Sequence, residues 1–282
     1  MALIRMEDVR VAYTTGSRTR TVLAGLSLAI EAGEFVCLLG ETGCGKSTML
    51  RLILGAEQPV SGTVEVAGER VRGLCPKRGY VPQRYGLFPD RTALANVAFG
   101  PEMYEFSVAE RLLPKFRGRR RDIRRQALEL LAELGLDSHD ANKYPHQLSG
   151  GMQQRVAIAQ ALIMNPAVLL MDEAFSALDP STRASMQALT RRVWRERGAT
   201  ILFITHNTQE AVMMGTRAIV LAREGDESGS KIALDMELPG ATDPEWHARD
   251  ARETREMAEH IAGFYGGAKA NPFTLRPALA AS

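Results

Sequence analysis

The 282-residue sequence has no long apolar run, few cysteines and little net charge. Its most apolar stretch, Val156 to Met171, is broken by Gln160, Asn165 and Pro166 and is too short and too polar to cross a bilayer. Work at a membrane must then go through a partner. The three cysteines, Cys37, Cys44 and Cys75, match no metal-ligand spacing, and an odd number suits no disulfide framework. Free thiols fit a reducing cytoplasm. A formal charge of +2 points to no polyanion overall, so a nucleic-acid partner is not expected. The N-terminus, MALIRMEDVR, carries charges where a signal peptide needs an apolar core. What remains is an ordinary globular composition, 45% hydrophobic and 24% charged, on a chain long enough to bury a sizeable core.

Hydrophobic patterning divides the chain. Leu3, Ile4, Val9 and Val11, followed by Thr14-Thr15-Gly16-Ser17, predict an edge strand and a hairpin turn, and Leu26 to Ile30 a second strand. Phe35 to Leu39 is five apolar residues between glycines, the pattern of a strand buried on both faces. Lys46 to Leu54 reads as helix; Val64 to Val66 and Gly79 to Val81 read as short strands. From about Arg84 to Met152 the texture is helical, with a 3.6-residue period over 121–134. Strands follow at 167–171, 200–205 and 217–222, alternating with helices at 182–197 and 208–214. This alternation predicts a mostly parallel sheet with helices on both faces. Residues 223–230 read as a polar turn, about 243–265 as a charged helical tail, and the last dozen residues as loose.

Gly40, Glu41, Thr42, Gly43, Cys44, Gly45, Lys46 and Ser47 fit G-x-x-x-x-G-K-[ST], after a buried strand and before a helix. Glycines let the backbone fold into a concave nest of N–H groups aimed at phosphate oxygens, and the helix start adds its positive end. Lys46 supplies a charge for the β- and γ-phosphates, and the Ser47 hydroxyl can ligate Mg²⁺. Leu169-Leu170-Met171-Asp172 is a buried strand ending in a carboxylate at the edge where doubly wound sheets place ligands. Read alone, Asp172-Glu173 could be a helix cap, His206 a structural strand-end histidine, Gln83 a surface turn residue and Tyr13 an ordinary strand aromatic.

Leu148-Ser-Gly-Gly-Met-Gln-Gln-Arg155, with LLMDEAFSALD beyond it and Gln83 and His206 in order, resembles the motif set of ATP-binding-cassette (ABC) ATPases over residues 4 to 222. The resemblance implies an α/β P-loop NTPase (RecA-like) core with a parallel sheet, an N-terminal antiparallel β subdomain and an inserted α-helical subdomain. Its domains would be 1–83 with 153–222, 84–152 carrying the signature, and a tail of 223–282. Glu173 then resembles the base that polarises the attacking water, and His206 the histidine that touches the γ-phosphate. Gln83 would reach Mg²⁺ or its water, Asp172 would orient the metal's shell, and Tyr13 would stack on adenine. Thr48 joins the phosphate loop. Ser149, Gly150 and Gly151 would face the γ-phosphate bound by a partner protomer, and Asp179 would lie in the loop coupling the two sites. Ala174, Asn207, Gln160 and Glu41 depart from common family residues.

A single cassette without a membrane span fits importers whose motor and channel are separate chains. The implied protein is a homodimer closed on Mg-ATP, seated peripherally on the inner face of the cell membrane against permease subunits, and served indirectly by a solute-binding protein. Leu87, Phe88 and Pro89 are candidate permease contacts. The texture is most like the nitrate/sulfonate/taurine importer group, with the quaternary-amine group second. A soluble ABC ATPase acting on ribosomes, DNA or Fe–S assembly, or a non-hydrolysing clamp, remains the other class. Lys115 to Arg125 holds seven basic residues in eleven, either a solvated helix face or a contact for anionic lipid.

Overall fold

The computed structural model describes residues 2–107, 110, 114–223, 229–238 and 251–265. β1 (Ala2–Thr15) and β2 (Arg18–Glu31) form a long antiparallel hairpin closed at Gly16, whose φ is +62. The buried positions of β1 change parity, from Ile4 and Met6 to Val9 and Val11. An irregularity in the register between Met6 and Val9, with Asp8 at φ +45, returns them to the same face. β4 (Ser61–Val66) pairs with the other side of β1, and β5 (Glu69–Arg70) follows it, giving the order β2-β1-β4-β5. β1 is therefore an interior strand, not the expected edge. Its second partner arrives only after the loop and helix that follow β3, which local patterning does not reveal.

The second sheet has the order β10-β9-β3-β8-β7-β6. Its parallel strands are β3 (Phe35–Leu39), β6 (Arg78–Val81), β7 (Val168–Asp172), β8 (Thr200–Ile204) and β9 (Arg217–Ala222). β3 lies between β8 and β9 and is buried throughout, as its unbroken apolar run requires. Phe35, Cys37 and Leu39 face a core shared with most of the helices, and Val36 and Leu38 face one shared with the small sheet and α1 (Lys46–Leu54). Phe203 sits between Phe35 and Phe175 at ring separations of 6.2 and 5.3 Å, and Trp194 covers Phe35 at 5.9 Å.

The helical stretch comprises α2 (Ala93–Tyr104), α3 (Pro114–Glu133) and the start of α4 (Gly150–Leu162). The period read over 121–134 buries Ile123, Ala127, Leu130 and Leu131. The expected division between 152 and 153 falls inside α4. α5 (Pro180–Arg197) and α6 (Thr208–Met214) complete the alternation.

β10 (Lys231–Glu237) was not expected; it pairs antiparallel with β9 and adds a strand to the sheet from what reads as tail. Its signal is the period-two spacing of Ile232, Leu234 and Met236, alternating with Lys231, Ala233, Asp235 and Glu237. α7 (Ala251–Ala262) matches part of the helical tail, burying Met257, Ala258 and Ile261 beside α6. Most of the 223–230 turn, the tail over 243–250 and the last dozen residues lie outside the described residues. Among the described residues no helix is long and apolar enough to cross a membrane.

Candidate nucleotide-binding site

The loop between β3 and α1 is shaped by glycines. Gly40, Gly43 and Gly45 have φ of +139, +80 and +101. A Cβ on Gly40 would strike the Leu221 carbonyl oxygen and lie 2.8 Å from Cys44 Sγ; one on Gly45 would lie 2.9 Å from Leu23 Cδ2. Gly45 caps α1 without a side chain, and the first helical bond runs from Met49 N to Gly45 O at 2.9 Å. The amides of Lys46, Ser47 and Thr48 thus have no carbonyl within the helix and suit an anion. Lys46 is buried, its Nζ donating to the carbonyls of Gly40 (2.7 Å) and Glu41 (2.9 Å). The Cys44 side chain turns into the core, where burial pushes its thiol pKa up. Gly40, Glu41 and Cys44 do not line the cavity beside this loop.

That cavity, about 630 Å³, is lined by Tyr13, Thr42, Gly43, Gly45, Lys46, Ser47, Thr48 and Glu173 among the expected residues. Arg18, Arg20, Val22, Arg51 and Arg223 also line it and were missed. The signals were periodic. Arg18, Arg20 and Val22 alternate on one face of β2, and Thr48 and Arg51 are three apart on α1. Arg51 organises the Tyr13 end, donating from Nη2 to the Tyr13 hydroxyl (3.1 Å) and from Nε to Glu57 (3.1 Å), while the Tyr13 hydroxyl donates to Glu57 at 2.5 Å. Tyr13 is held by its hydroxyl and remains 40% exposed. At the phosphate end Arg223 Nη2 donates to Gly43 O at 2.5 Å.

Four polar residues from three strand ends meet here. Asp172 closes β7, and its carboxyl pKa is raised by burial and then by the charge of Glu173, partly countered by a hydrogen bond from Ser47. Glu173 follows in a left-handed conformation, φ +46, with its N–H bonded to Ile204 O at 3.0 Å. Gln83 Nε2 donates to Glu173 Oε2 at 3.0 Å, and His206 Nδ1 lies 3.7 Å from Glu173 Oε1. Next to His206, Asn207 caps α6 by accepting from Glu210 N at 3.1 Å. A cap is equally open to Asp or Asn, which accounts for the departure at 207.

The remaining expected residues lie elsewhere. Ser149 caps α4, accepting from Met152 N at 3.3 Å, and with Gly151 it lines a different cavity of about 440 Å³ beside Arg155, Thr182 and Ser185. No lining residue is common to the two cavities. Gly150 is small because Tyr85 is close: a Cβ there would lie 2.8 Å from the Tyr85 hydroxyl. Asp179 caps α5, accepting from Ser181 N (3.1 Å), Ser181 Oγ (2.7 Å) and Thr182 N (3.0 Å). Bonds from Thr182 and then Ser181 hold its carboxyl far below the usual range.

The chain resembles known proteins. A family model described as ABC transporter matches residues 23–176. The chain is 42% identical over 237 residues to the nitrate import ATP-binding protein NrtD of Synechocystis sp., covering 84% of each. It is also 42% identical over 242 residues to the spermidine/putrescine import ATP-binding protein PotA of Thermobifida fusca, covering 84% of this chain but only 59% of that one. Among solved structures, a dimeric post-hydrolysis state of the ATP-binding cassette MJ0796 bound to ADP and Pi aligns with a TM-score of 0.68 at 32% identity, over 84% of this chain and 99% of that one. With the phosphate loop, the strand-end carboxylates and the displaced serine–glycine helix start already located, these matches make the chain a member of the ABC transporter family, as an ATP-binding domain.

Proposed function

We propose that the chain is the ATP-hydrolysing motor of an importer, working as a pair that encloses two Mg-ATP and drives solute through separate permease subunits. The observation that carries this reading is the single cavity uniting the phosphate loop, Tyr13 and Glu173, with Gln83 and His206 bracketing the Glu173 carboxylate. Adenine stacks on the fixed Tyr13 ring, and the triphosphate follows the free amides of α1 to Lys46. Glu173 accepts a proton as water attacks the γ-phosphorus; the new O–P bond forms while the β–γ bridge breaks and ADP leaves. His206 steadies the water. The oxygen donors fit a hard divalent cation: Ser47 and Asp172 sit together, and burial beside a second carboxylate makes a positive neighbour favourable. Mg²⁺ held there, within reach of Gln83, would offset charge on the phosphate oxygens.

Ser149 and Gly151 share no cavity with the chain's own phosphate loop, so on this reading they serve a second copy's nucleotide, as a dimeric relative supports. Residues 1–83 with 153–222 form the nucleotide core, and 84–152 the arm that meets the permease. Within that arm Asn96 holds 88–92: it accepts from Phe88 N (2.7 Å) and donates to the carbonyls of Phe88, Arg91 and Thr92. Phe88 stays exposed for the permease. Likeness to the nitrate relative supports a nitrate-, sulfonate- or taurine-like solute, and polyamine uptake by the assembled complex would overturn that assignment.

The deciding experiment is Glu173→Gln with Mg-ATP in size-exclusion chromatography. Turnover should be lost and a dimer trapped. A fully active variant refutes the general-base role, and a persistent monomer at saturating ATP refutes the paired mechanism. Phe88→Ala should keep basal turnover and uncouple uptake.

A further inference from the structure

Helix α3 carries positive charge that the hydrolytic cycle does not use. Most of its arginines are matched: Arg119 Nε lies 2.6 Å from Glu105, and Arg120 and Arg124 share Glu102 at 3.0 and 3.7 Å. Arg125 sits between Asp122 (3.3 Å) and Glu129 (4.0 Å). Arg117 and Arg121 are different. Both are exposed, and neither has an acidic or hydrogen-bonding partner among the described residues. They stand four positions apart, hence on one face and about 6 Å apart along the axis. One carboxylate shared by Arg120 and Arg124 leaves further positive charge beside them.

The flanks of this patch are apolar. At the end of α2, which the Glu102 and Glu105 pairs bring against the start of α3, Tyr104 is 68% exposed and Met103 is also exposed. Leu128 is exposed further along α3. Unpaired guanidiniums beside an exposed aromatic and long apolar side chains match the chemistry of a membrane interface, where aromatic rings sit at headgroup depth and cationic side chains meet phosphate. A nucleic-acid surface would account for the arginines but not for Met103 and Leu128.

We propose that this face, Arg117 and Arg121 with Tyr104 and Met103, docks on the anionic phosphate headgroups of the membrane beside the permease. The proposal rests on the importer reading for its setting. Phe88, the permease contact of that reading, packs edge-on against Phe99 at 4.7 Å, and Met103 lies one turn beyond Phe99 on α2. The permease contact therefore leads along α2 toward the basic face.

The test is co-sedimentation of the full chain with vesicles of phosphatidylcholine alone or mixed with phosphatidylglycerol. The wild type should bind only the mixed vesicles, and salt should release it. Arg117→Gln with Arg121→Gln should weaken that binding about 30-fold and leave basal ATP turnover unchanged. Tyr104→Ala, at an exposed position, should weaken it without altering the salt dependence. The proposal is overturned if the double variant binds like the wild type, if the wild type ignores anionic vesicles, or if double-stranded RNA is bound in their place. Vesicle binding by the isolated chain needs no permease, so its outcome is read separately from whether the importer reading holds.

Discussion

Replacing Glu173 by alanine and, separately, by glycine divides its chemistry from its conformation. At φ +46 the residue occupies the left-handed region, where an L side chain costs about 1–2 kcal/mol. Glycine enters that region freely. The backbone there is pinned, because Glu173 N donates to Ile204 O at 3.0 Å and Glu173 O accepts from Ser176 N at 3.0 Å and Ser176 Oγ at 2.9 Å. A change of side chain therefore does not release the conformation. Both variants remove the carboxylate between Gln83 and His206, so ATP turnover should fall by about 10²–10⁴-fold in each. Stability should separate them. Relief of about 1–2 kcal/mol in the folded state is offset by about 0.5–1 kcal/mol of extra unfolded-chain entropy for glycine. The middle of these ranges, a net advantage of about 0.75 kcal/mol, should make E173G melt about 1.5–3 °C above E173A in nucleotide-free thermal scans. Should E173A melt at or above E173G, the strain argument is wrong. Turnover surviving in both would remove Glu173 from the chemistry.

Three further outcomes follow from the same geometry. Tyr13→Ala should weaken ATP binding about 2- to 12-fold, the stacking contribution of an aromatic face, whereas Tyr13→Phe should bind nearly as the wild type does; titration calorimetry separates them. Asp172→Asn should abolish Mg-dependent turnover yet stabilise the nucleotide-free fold. The raised folded pKa of Asp172 means its contribution is fully present below the ordinary Asp value and is lost as pH rises through the folded value. The advantage of D172N over wild type should accordingly be absent in acid and grow toward neutral pH, as melting curves across that range will show. Ser149→Ala removes a helix cap, a loss of about 1 kcal/mol. In the Glu173→Gln background it should spare nucleotide binding by the single chain and prevent the trapped dimer, so loss of binding by the monomer would contradict the separation of the two cavities.

The sequence was most legible where one local pattern fixes one local geometry. The glycine loop needed only its own residues and its strand–helix setting, and α1 runs over Lys46–Leu54 as its pattern predicts. Strands buried on both faces were equally plain, since an apolar run such as Phe35 to Leu39 leaves no solvent face to misread. The failures were all non-local. The interior place of β1 depends on pairings such as Ile4 with Val66, across two strands and a helix. β10 carries its alternation on only three apolar residues, and its pairing with β9 is not written in either segment alone. Spacing puts Arg51 on the Thr48 face of α1, but its guanidinium is held at the cavity by Glu57 and Tyr13, which lie outside that helix. Asp179, expected in the coupling loop, also caps α5 with its carboxylate, a bond that depends on the fold of the helix start. A motif names a position, while the hydrogen bonds decide which atoms are free to act.

The segment after β6 shows why nucleotide chemistry and distant surfaces need not be independent. Within six residues Gln83 bonds the Glu173 carboxylate, Tyr85 packs where Gly150 opens α4, and Phe88 reaches the exposed surface. Asn96 then fixes Phe88, Arg91 and Thr92 to the first turn of α2 through four hydrogen bonds from a buried side chain, a commitment costly to break in a low-dielectric setting. A shift of Gln83 must therefore be absorbed within residues 84–87 or carried into α2 and the start of α4 together. Gly86, at φ +65, is the point in that short span best able to absorb it. On the importer reading, the stiffness of residues 84–87 would set how much of a change at the γ-phosphate reaches Phe88, and this strut, more than the phosphate loop itself, would be the place where hydrolysis and transport are coupled or come apart.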